Sequence, residues 1–519
     1  MLSLYGSRAT HFAFLATCWW ASATGLAHEG VLLKALHSIK SSDVEAHIGV
    51  LADDSFEGRE AGARGGRAAA GYITEQLKKF GLQGAAGGGS YYQPFQRGYR
   101  NILAQLPGSD PQLSKEVIIL GAHYDHVGYG TRSNSFGPTG YIHNGADDNA
   151  SGTASLLELA EAFAALPTPP KRTLVFAFWD AEEKALRGSK HWLAHPTLEL
   201  SQIKLFINMD MIGRLRKEHV EVYGTRTSKR LRQMLSRQNT DLNLRLDFTW
   251  EMKENSDHYP FYERRIPTIM LHTGLHDDYH RPHDDAHKIN FAGTQEITRL
   301  IFRFASHVGD RDSIAGFRLA ARREFPRSRQ QMESALPKKQ PRLGIQWRRN
   351  AEKIMITHVV PRSAAATAGL KVGDQLLTFS GQSLLDDALF RQHVLAAPTD
   401  TTMTIRRENT LEAVEVPIKL MGNPTRIGIS WREDSAEPGT AIIARVIPGS
   451  AAAEAGLQVG DRIYDVAEMN FTNTEELKNL LTTAKSPISI TIERSGRLQS
   501  LHIEVLPEGQ HLETTTTKT

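Results

Sequence analysis

The chain has 519 residues, 40% of them hydrophobic and 23% charged, and its basic residues outnumber its acidic ones by only 3. At roughly 100–200 residues per domain this predicts about three domains. The composition excludes a disordered or collagen-like chain and a polybasic nucleic-acid binder.

In chain order, residues 1–27 read as a signal peptide. Arg8 precedes the apolar run Phe12–Ala27, which ends in small residues before His28. This layout predicts export to the periplasm or extracellular space. The run is shorter than the ~20 residues that span a bilayer, so no integral span is expected once it is removed. The single cysteine, Cys18, follows Leu15-Ala-Thr, a loose match to a lipid-attachment box, and a lipid anchor there is the alternative. Residues 28–308 carry α/β patterning. A helical period covers Ala69–Phe80, a helix is expected over Ser151–Leu166, and strand runs lie at Val117–Leu120, Thr173–Phe178, Lys204–Asn208 and Pro267–Leu271. The expected fold is a mostly parallel sheet flanked by helices, with function in loops at the C-terminal ends of the strands.

Residues 309–340 gather Arg311, Arg318, Arg322, Arg323, Arg327, Arg329, Lys338 and Lys339 with Pro326 and Pro337, and read as a basic connector. Phe317 and Phe325 are the only aromatics among these charges, so no nucleic-acid partner is expected. An internal repeat follows. Pro361-Arg-Ser-Ala-Ala-Ala-Thr-Ala-Gly-Leu-Lys-Val-Gly-Asp374 matches Pro448-Gly-Ser-Ala-Ala-Ala-Glu-Ala-Gly-Leu-Gln-Val-Gly-Asp461, which predicts two small β-rich domains at 341–421 and 425–507. Residues 508–519 read as a disordered tail.

The residues able to carry chemistry concentrate in the first domain. His123 and Asp125 follow a strand, Asp147 and Asp148 precede a helix, Glu182, Glu183 and Asp210 follow strands, and His280 lies in a late loop. Hard oxygen donors mixed with imidazole suit zinc, cobalt or manganese, and carboxylates can bridge two ions about 3.5–4 Å apart. Any one of these groups alone has an ordinary explanation, Asp148 as a helix cap for instance. Taken together, the parallel sheet would bring them to one edge. His-Glu-x-x-His, Gly-x-Ser-x-Gly and phosphate-loop patterns are absent from the sequence.

Five motifs stand in the order found in the co-catalytic zinc aminopeptidases of the M28 type, and the chain resembles that family over roughly residues 43–308. They are Gly121-Ala-His-Tyr-Asp125, Gly145-Ala-Asp-Asp-Asn-Ala-Ser-Gly152, Ala181-Glu-Glu183, Asn208-Met-Asp-Met-Ile-Gly213 and Tyr279-His-Arg-Pro-His-Asp284. The leading stretch Leu51-Ala-Asp-Asp-Ser-Phe-Glu-Gly-Arg59 belongs to the same likeness. The resemblance implies two Zn2+ ions per chain, replaceable by cobalt or manganese. His123 and Asp210 would hold one ion, Glu183 and His280 the other, and Asp148 would bridge them. It further implies Glu182 as general base, Asp125 as the acceptor that orients His123, Tyr279 as a donor to the developing oxyanion, and Asp257 in a supporting position. Adjacent glutamates can divide these roles only if the chain turns at Asp180-Ala181. His126, His143, His272, His276, His283 and His287 are read as bystanders, with His283 the nearest rival to His280, and His258 beside Asp257 reads equally as a satisfied polar group. Lys184 departs from the small residue expected after the glutamate pair.

The repeated units resemble bacterial PDZ domains. Leu343-Gly-Ile345 and Ile427-Gly-Ile429 would be the loops that receive a peptide carboxylate, and the adjacent edge strand would take the peptide as an extra strand. The combined expectation is an exported dinuclear zinc metallopeptidase that hydrolyses N-terminal peptide bonds of substrates with a free N-terminus, with protein C-termini as partners of the PDZ domains. The alternatives are other amide chemistry on the same fold, carboxypeptidase-like or glutaminyl cyclase-like, and a non-catalytic peptide-binding scaffold.

Overall fold

A computed structural model describes residues 30–506 apart from 351, 352, 385 and 409. The expected signal peptide, Cys18 and the tail at 508–519 lie outside the described residues. Two compact units divide the chain, one ending at Pro326 and the next beginning at Arg327. The division falls inside the stretch expected as a connector.

In the first unit the strands are β1 (Gln83–Gly84), β2 (Tyr92–Phe95), β3 (Tyr99–Leu106), β4 (Val117–His123), β5 (Thr173–Trp179), β6 (Ile203–Met209), β7 (His219–Tyr223), β8 (Arg245–Phe248) and β9 (Thr268–His272). They form one sheet in the order β1-β3-β5-β4-β6-β9-β7-β8, with β2 paired to β3. The central run β5-β4-β6-β9 is parallel, as the apolar strand runs imply. Flanking strands pair antiparallel with this run, β3 on β5 and β7 on β9, so the whole sheet is mixed.

The helices are α1 (Ser41–Leu51), α2 (Arg64–Lys79), α3 (Gly152–Ala164), α4 (Arg187–Ala194), α5 (Leu231–Gln238), α6 (His258–Glu263) and α7 (Phe291–Asp310). Alternation along β4 shows that both sheet faces are covered. Ile118, Leu120 and Ala122 join a core that also contains residues of α1, α2, α3 and α7. Val117 and Ile119 join a second core with Trp179, Trp192, Phe206 and Phe261. The Phe206 and Phe261 rings stack 4.0 Å apart, and the Trp179 and Trp192 rings lie 5.8 Å apart. This cluster explains Gly121. A Cβ there would come within 2.5 Å of the Phe206 ring and 2.8 Å of the Trp179 indole nitrogen.

Parallel register then aligns the strand ends. His123 pairs with Trp179 across β4 and β5, Gly121 with Asn208 on β6, and Asn208 with Met270 on β9. The residues just past these ends are brought to a common edge.

The stretch after α7 stays with the first unit up to Pro326. Glu324 accepts from Arg226 at 2.6 Å and from Arg318 at 2.6 Å, while the Arg226 guanidinium lies 3.5 Å from the Trp250 ring centroid.

The second unit opens with α8 (Pro326–Glu333) and contains two sheets of the same internal order. The first holds β10 (Ile345–Asn350), β11 (Lys353–Val359), β12 (Gln375–Phe379), β13 (Gln382–Ser383), β14 (Asp400–Arg406) and β15 (Ala413–Lys419), ordered β10-β11-β12-β14-β15 with β13 on β12. The second holds β16 (Ile429–Glu433), β17 (Ala441–Val446), β18 (Arg462–Val466), β19 (Ile488–Arg494) and β20 (Arg497–Ile503), in chain order. The repeated motif builds matching corners. Ser363 and Ser450 cap four-residue helices at Ala366 N and Ala453 N. Asp374 and Asp461 accept from the backbone N–H groups of Lys371 and Gln458.

One ionisable group breaks the apolar pattern of α3. Glu158 is buried, its Oε1 3.6 Å from His47 Nε2, and its Oε2 accepts from Lys40 N at 3.3 Å. Burial, reinforced by Asp43 and Glu161, pushes its carboxyl up to about 8, while burial pushes His47 down to about 4. An acid raised on folding stabilises the fold in its protonated form, and that contribution fades as pH climbs from the ordinary 4.5 through 8. His47, held neutral, takes stability away only as pH falls from 6.5 toward 4. Glu158→Gln is therefore expected to gain on the wild type in thermal melts from about pH 5 to about pH 9, widening to a few degrees. A gap that stays constant with pH would rule this account out.

Candidate metal centre

Each candidate side chain reaches the common edge by a different backbone device. His123 is the last residue of β4 and Asp210 the first after β6. Asp148 lies in a wide turn, Ala146–Ser151, that leads into α3, and its peptide bond to Asn149 is cis. The backbone N–H groups of Asp147 and Asp148 both donate to Asp284 Oδ2, at 2.9 and 3.0 Å. Asp147 Oδ1 accepts from Gly213 N at 2.6 Å, joining this turn to the loop after β6. Ala181 adopts a left-handed backbone, φ 57°, immediately before Glu182 and Glu183. The turn expected at Asp180-Ala181 is present, and Asp180 Oδ1 holds it by accepting from Ala181 N.

The side chains converge. His123 Nε2 lies 3.4 Å from Asp148 Oδ1 and 3.4 Å from Asp210 Oδ1. His280 Nε2 lies 3.1 Å from Asp148 Oδ2 and 3.2 Å from Glu183 Oε2. The two oxygens of Asp148 thus face two separate groups of donors. His126, read from sequence as a bystander, belongs to the second group. Its Nδ1 is 2.9 Å from Glu183 Oε1 and 3.8 Å from Asp148 Oδ2. Two clusters have ligand atoms close enough to hold an ion, His123-Asp148-Asp210 and His126-Asp148-Glu183.

Asp125 departs from its expected part. Its carboxylate is 3.8 Å from His123 Nδ1, too far for a hydrogen bond, and that nitrogen faces the Asp125 backbone carbonyl at 3.2 Å. Asp125 Oδ1 accepts instead from Glu182 N at 3.0 Å, so it ties the β4 loop to the glutamate pair. Tyr279 stacks on the His280 ring with centroids 3.9 Å apart, and Phe136 lies 5.8 Å from Tyr279. Asp257 is buried and accepts from Ser189 Oγ at 2.5 Å. His258 beside it is buried and neutral, pushed down to about 3 by burial, and among the described residues neither ring nitrogen has a hydrogen-bond partner.

Of the other histidines, His143 meets Ser135 Oγ, His272 accepts from Gly274 N, and His276 Nε2 lies 3.1 Å from Asp147 Oδ2. His283 and His287 are exposed. Lys184 pairs with Glu60 at 2.8 Å, which accounts for a long cation where a small residue is expected.

Electrostatics separates the two glutamates. Burial and Asp148 push Glu183 up, but hydrogen bonds from His126 and His280 outweigh them and bring it to about 2. Glu182 is raised well above the usual carboxylate range by burial and by Glu183, Asp257 and Asp210, against the pull of His123. His280 is lowered by burial but raised more by Asp148 and Glu183, to about 10. Tyr279 is pushed far up by burial and then by Asp148, Glu183, Glu182 and Asp210, which keeps its hydroxyl protonated. Oxygen and imidazole donors in two buried sets, sharing one carboxylate, fit a pair of divalent cations of the zinc type.

In the second unit Gly344 and Gly428 have φ of 83° and 87°, and a Cβ on either would meet a serine Cβ, of Ser363 or Ser450, at 2.3 Å. Leu343 and Ile427 are buried, and Ile345 and Ile429 open β10 and β16, the edge strands of their sheets.

Comparison with known proteins agrees with this architecture. Residues 101–305 match peptidase family M28, and residues 341–418 and 442–494 match PDZ domains. The first unit therefore contains an M28 peptidase domain, and two PDZ domains follow it. The second PDZ match begins after the Ile427–Ile429 loop.

Over 269 residues the chain is 30% identical to leupeptin-inactivating enzyme 1 of Streptomyces exfoliatus, covering 50% of this chain and 55% of that protein. Over 187 residues it is 29% identical to leucine aminopeptidase 1 of Grosmannia clavigera, covering 34% of this chain and 42% of that protein. The chain thus spans about half the length of these curated relatives. Among solved structures, the Legionella pneumophila LapA aminopeptidase aligns with a TM-score of 0.45 at 20% identity, over 55% of this chain and 76% of that one.

Buried carboxylates at this density are relieved by bound cations, and a ligand that binds only the folded state stabilises it by about 2.7 kcal/mol at a hundredfold excess over Kd. Zinc added to chelator-treated protein is expected to raise the melting temperature by about 5 °C or more. A melting temperature indifferent to zinc would mean that protons alone balance these carboxylates.

Proposed function

We propose that the chain is an exported dinuclear zinc aminopeptidase whose PDZ domains recruit peptides or partner proteins. The observation that carries this reading is Asp148, with one oxygen beside His123 and Asp210 and the other beside His280 and Glu183. In this reading His123 and Asp210 would hold one ion and Glu183 and His280 the other, with Asp148 shared between the two sets. His126 steadies Glu183. Two zinc ions, when bound, supply Lewis acidity that polarises the scissile carbonyl and makes a water nucleophilic near neutral pH. Cobalt or manganese would serve in the same donor set.

Glu182 acts as general base. It takes a proton from the attacking water at a carboxylate oxygen and returns it to the leaving amine. The hydrogen bond from its backbone N–H to Asp125 Oδ1 holds its position. Tyr279, protonated and stacked on His280, donates to the oxygen on which charge develops. Names of curated relatives, leucine aminopeptidase among them, support the choice of a free N-terminus as the recognised end. Export rests on the layout of residues 1–27 and recruitment on the open edges of β10 and β16 beside Leu343–Ile345 and Ile427–Ile429.

Glu182→Gln is expected to keep its metal content and lose about 10²–10⁴ in kcat, measured on a leucyl peptide with metal analysis of the same sample. The N-acetylated peptide should resist the wild type. Cleavage of the acetylated peptide, or full activity in the variant, would refute the aminopeptidase mechanism. Cyclase or carboxypeptidase chemistry would be the next test. Retained metal with no turnover of any peptide would favour the peptide-binding scaffold.

A further inference from the structure

Arg59 is 1% exposed, and among the described residues it makes no ion pair within 4.0 Å. A guanidinium taken so far from water needs compensation, and backbone carbonyls supply it. Nε donates to Tyr124 O at 2.9 Å, Nη1 to Leu51 O at 2.7 Å and Asn144 O at 2.6 Å, and Nη2 to Gly145 O at 2.8 Å. These carbonyls belong to three separate segments. One is the end of α1, one lies between His123 and Asp125, and one immediately precedes Ala146 and the Asp147-Asp148 pair. The main chain adds to the same junction. Arg59 O accepts from His126 N at 3.3 Å, and Gly58 O accepts from Gly128 N at 3.0 Å. Burial lowers the guanidinium to about 10, and Asp148, Asp284, Asp125 and Glu183 act against that fall. Arg59 therefore remains charged at neutral pH.

We propose that Arg59 is a positioning residue of the metal centre: its planar fork locks the loop after β4 to the turn that carries Asp148, and its charge offsets the carboxylates gathered there. This rests on the dinuclear reading above. The geometry accounts for the residue type. Four acceptors spread around a plane match the fixed donors of a guanidinium, whereas a lysine ammonium is a point charge with three donors. The segments joined by Arg59 carry His123, His126 and Asp148, two of which belong to each cluster of possible ligands. Loosening the junction would displace both sets relative to each other while leaving the substrate's own contacts in place.

The test compares the full-length wild type with Arg59→Lys and Arg59→Ala, titrated with cobalt and followed by its visible ligand-field absorption. Chelator competition gives affinity, far-ultraviolet circular dichroism reports folding, and kcat and KM are measured on a leucyl peptide. Both variants are expected to fold, to bind cobalt about 10–100-fold more weakly with altered bands, and to lose kcat with KM changed less than about threefold. Guanidinium ion at low, non-denaturing concentration should restore the cobalt spectrum of Arg59→Ala by filling the space left.

Wild-type cobalt spectra and affinity in both variants would overturn the proposal while leaving the peptidase reading intact. So would loss of fold in both, since Arg59 would then act on folding alone. A wild type that takes up no cobalt would sink the dinuclear reading itself, and the proposal with it.

Discussion

Negative charge withdrawn from water at the ends of β4, β5 and β6 is the constraint on which the rest of the first unit depends. Asp125, Asp148 and Asp210 are buried there beside Glu182 and Glu183. Two unit charges 4 Å apart at an effective dielectric of 20 repel by about 4 kcal/mol, so the cluster cannot stand without balancing groups. The fold supplies several kinds. Imidazoles face Asp148 from both sides, and backbone N–H groups donate to Asp125 and Asp284. Guanidiniums contribute from behind, with the partly buried Arg214 donating to Asp284 at 2.9 Å. Glu182 and Glu183 show what this distribution decides. Both are buried, but two imidazoles face Glu183 whereas carboxylates dominate around Glu182, and their proton affinities move in opposite directions. That separation matches the proposed division between a metal ligand and a proton carrier.

Backbone strain accompanies this arrangement. Ala181 and His280 both have left-handed backbones without being glycine, at a cost of roughly 1–2 kcal/mol each. The surroundings hold both in place. Ala181 O accepts from Arg187 N and its N–H donates to Asp180, while His280 O accepts from Phe136 N. A straight strand through residues 181–183 would send the two glutamates to opposite faces of the sheet. The Ala181 turn lets them share one pocket. Loop 128–141, bonded through Phe136 to the His280 carbonyl, links the position of this late histidine to the loop that follows the first metal-site strand.

Legibility in the sequence followed length scale. The central strands were readable because each is a run of apolar residues buried on both faces, and β4 and β5 extend one or more residues past the apolar run only because His123 and Trp179 complete the ladder. The short flanking strands β1, β2, β7 and β8 carry too few residues for a periodic signal. The charged residues that gather at the edge were readable as a set, since parallel topology dictates where strand ends go. Which nitrogen or oxygen meets which was not. His126 follows His123 by three residues, and nothing in that spacing says its ring turns toward Glu183. Asp125 likewise has a plausible partner in His123, yet its carboxylate goes to the Glu182 backbone. Arg59 carries no such signal, because its partners are carbonyls, which leave no trace in side-chain identity.

The PDZ repeat shows the opposite balance, and the reason is physical. Its motif is made of residues whose work is local. Ser363 and Ser450 cap helices within three residues, Asp374 and Asp461 accept from N–H groups three residues away, and Gly344 and Gly428 sit where a side chain would collide with those same serines. Local constraints of this kind recur wherever the fold recurs, so two copies with the same serine-to-aspartate spacing predict two sheets of the same order. They carry no information on what the edge strands bind. In the first unit the motif residues meet across long stretches of chain, as His123 and Asp210 do, and solvent-excluded carboxylates have no comparable local purpose. A motif whose members find partners within a few residues speaks for the fold, and one whose members meet only after folding speaks for the chemistry.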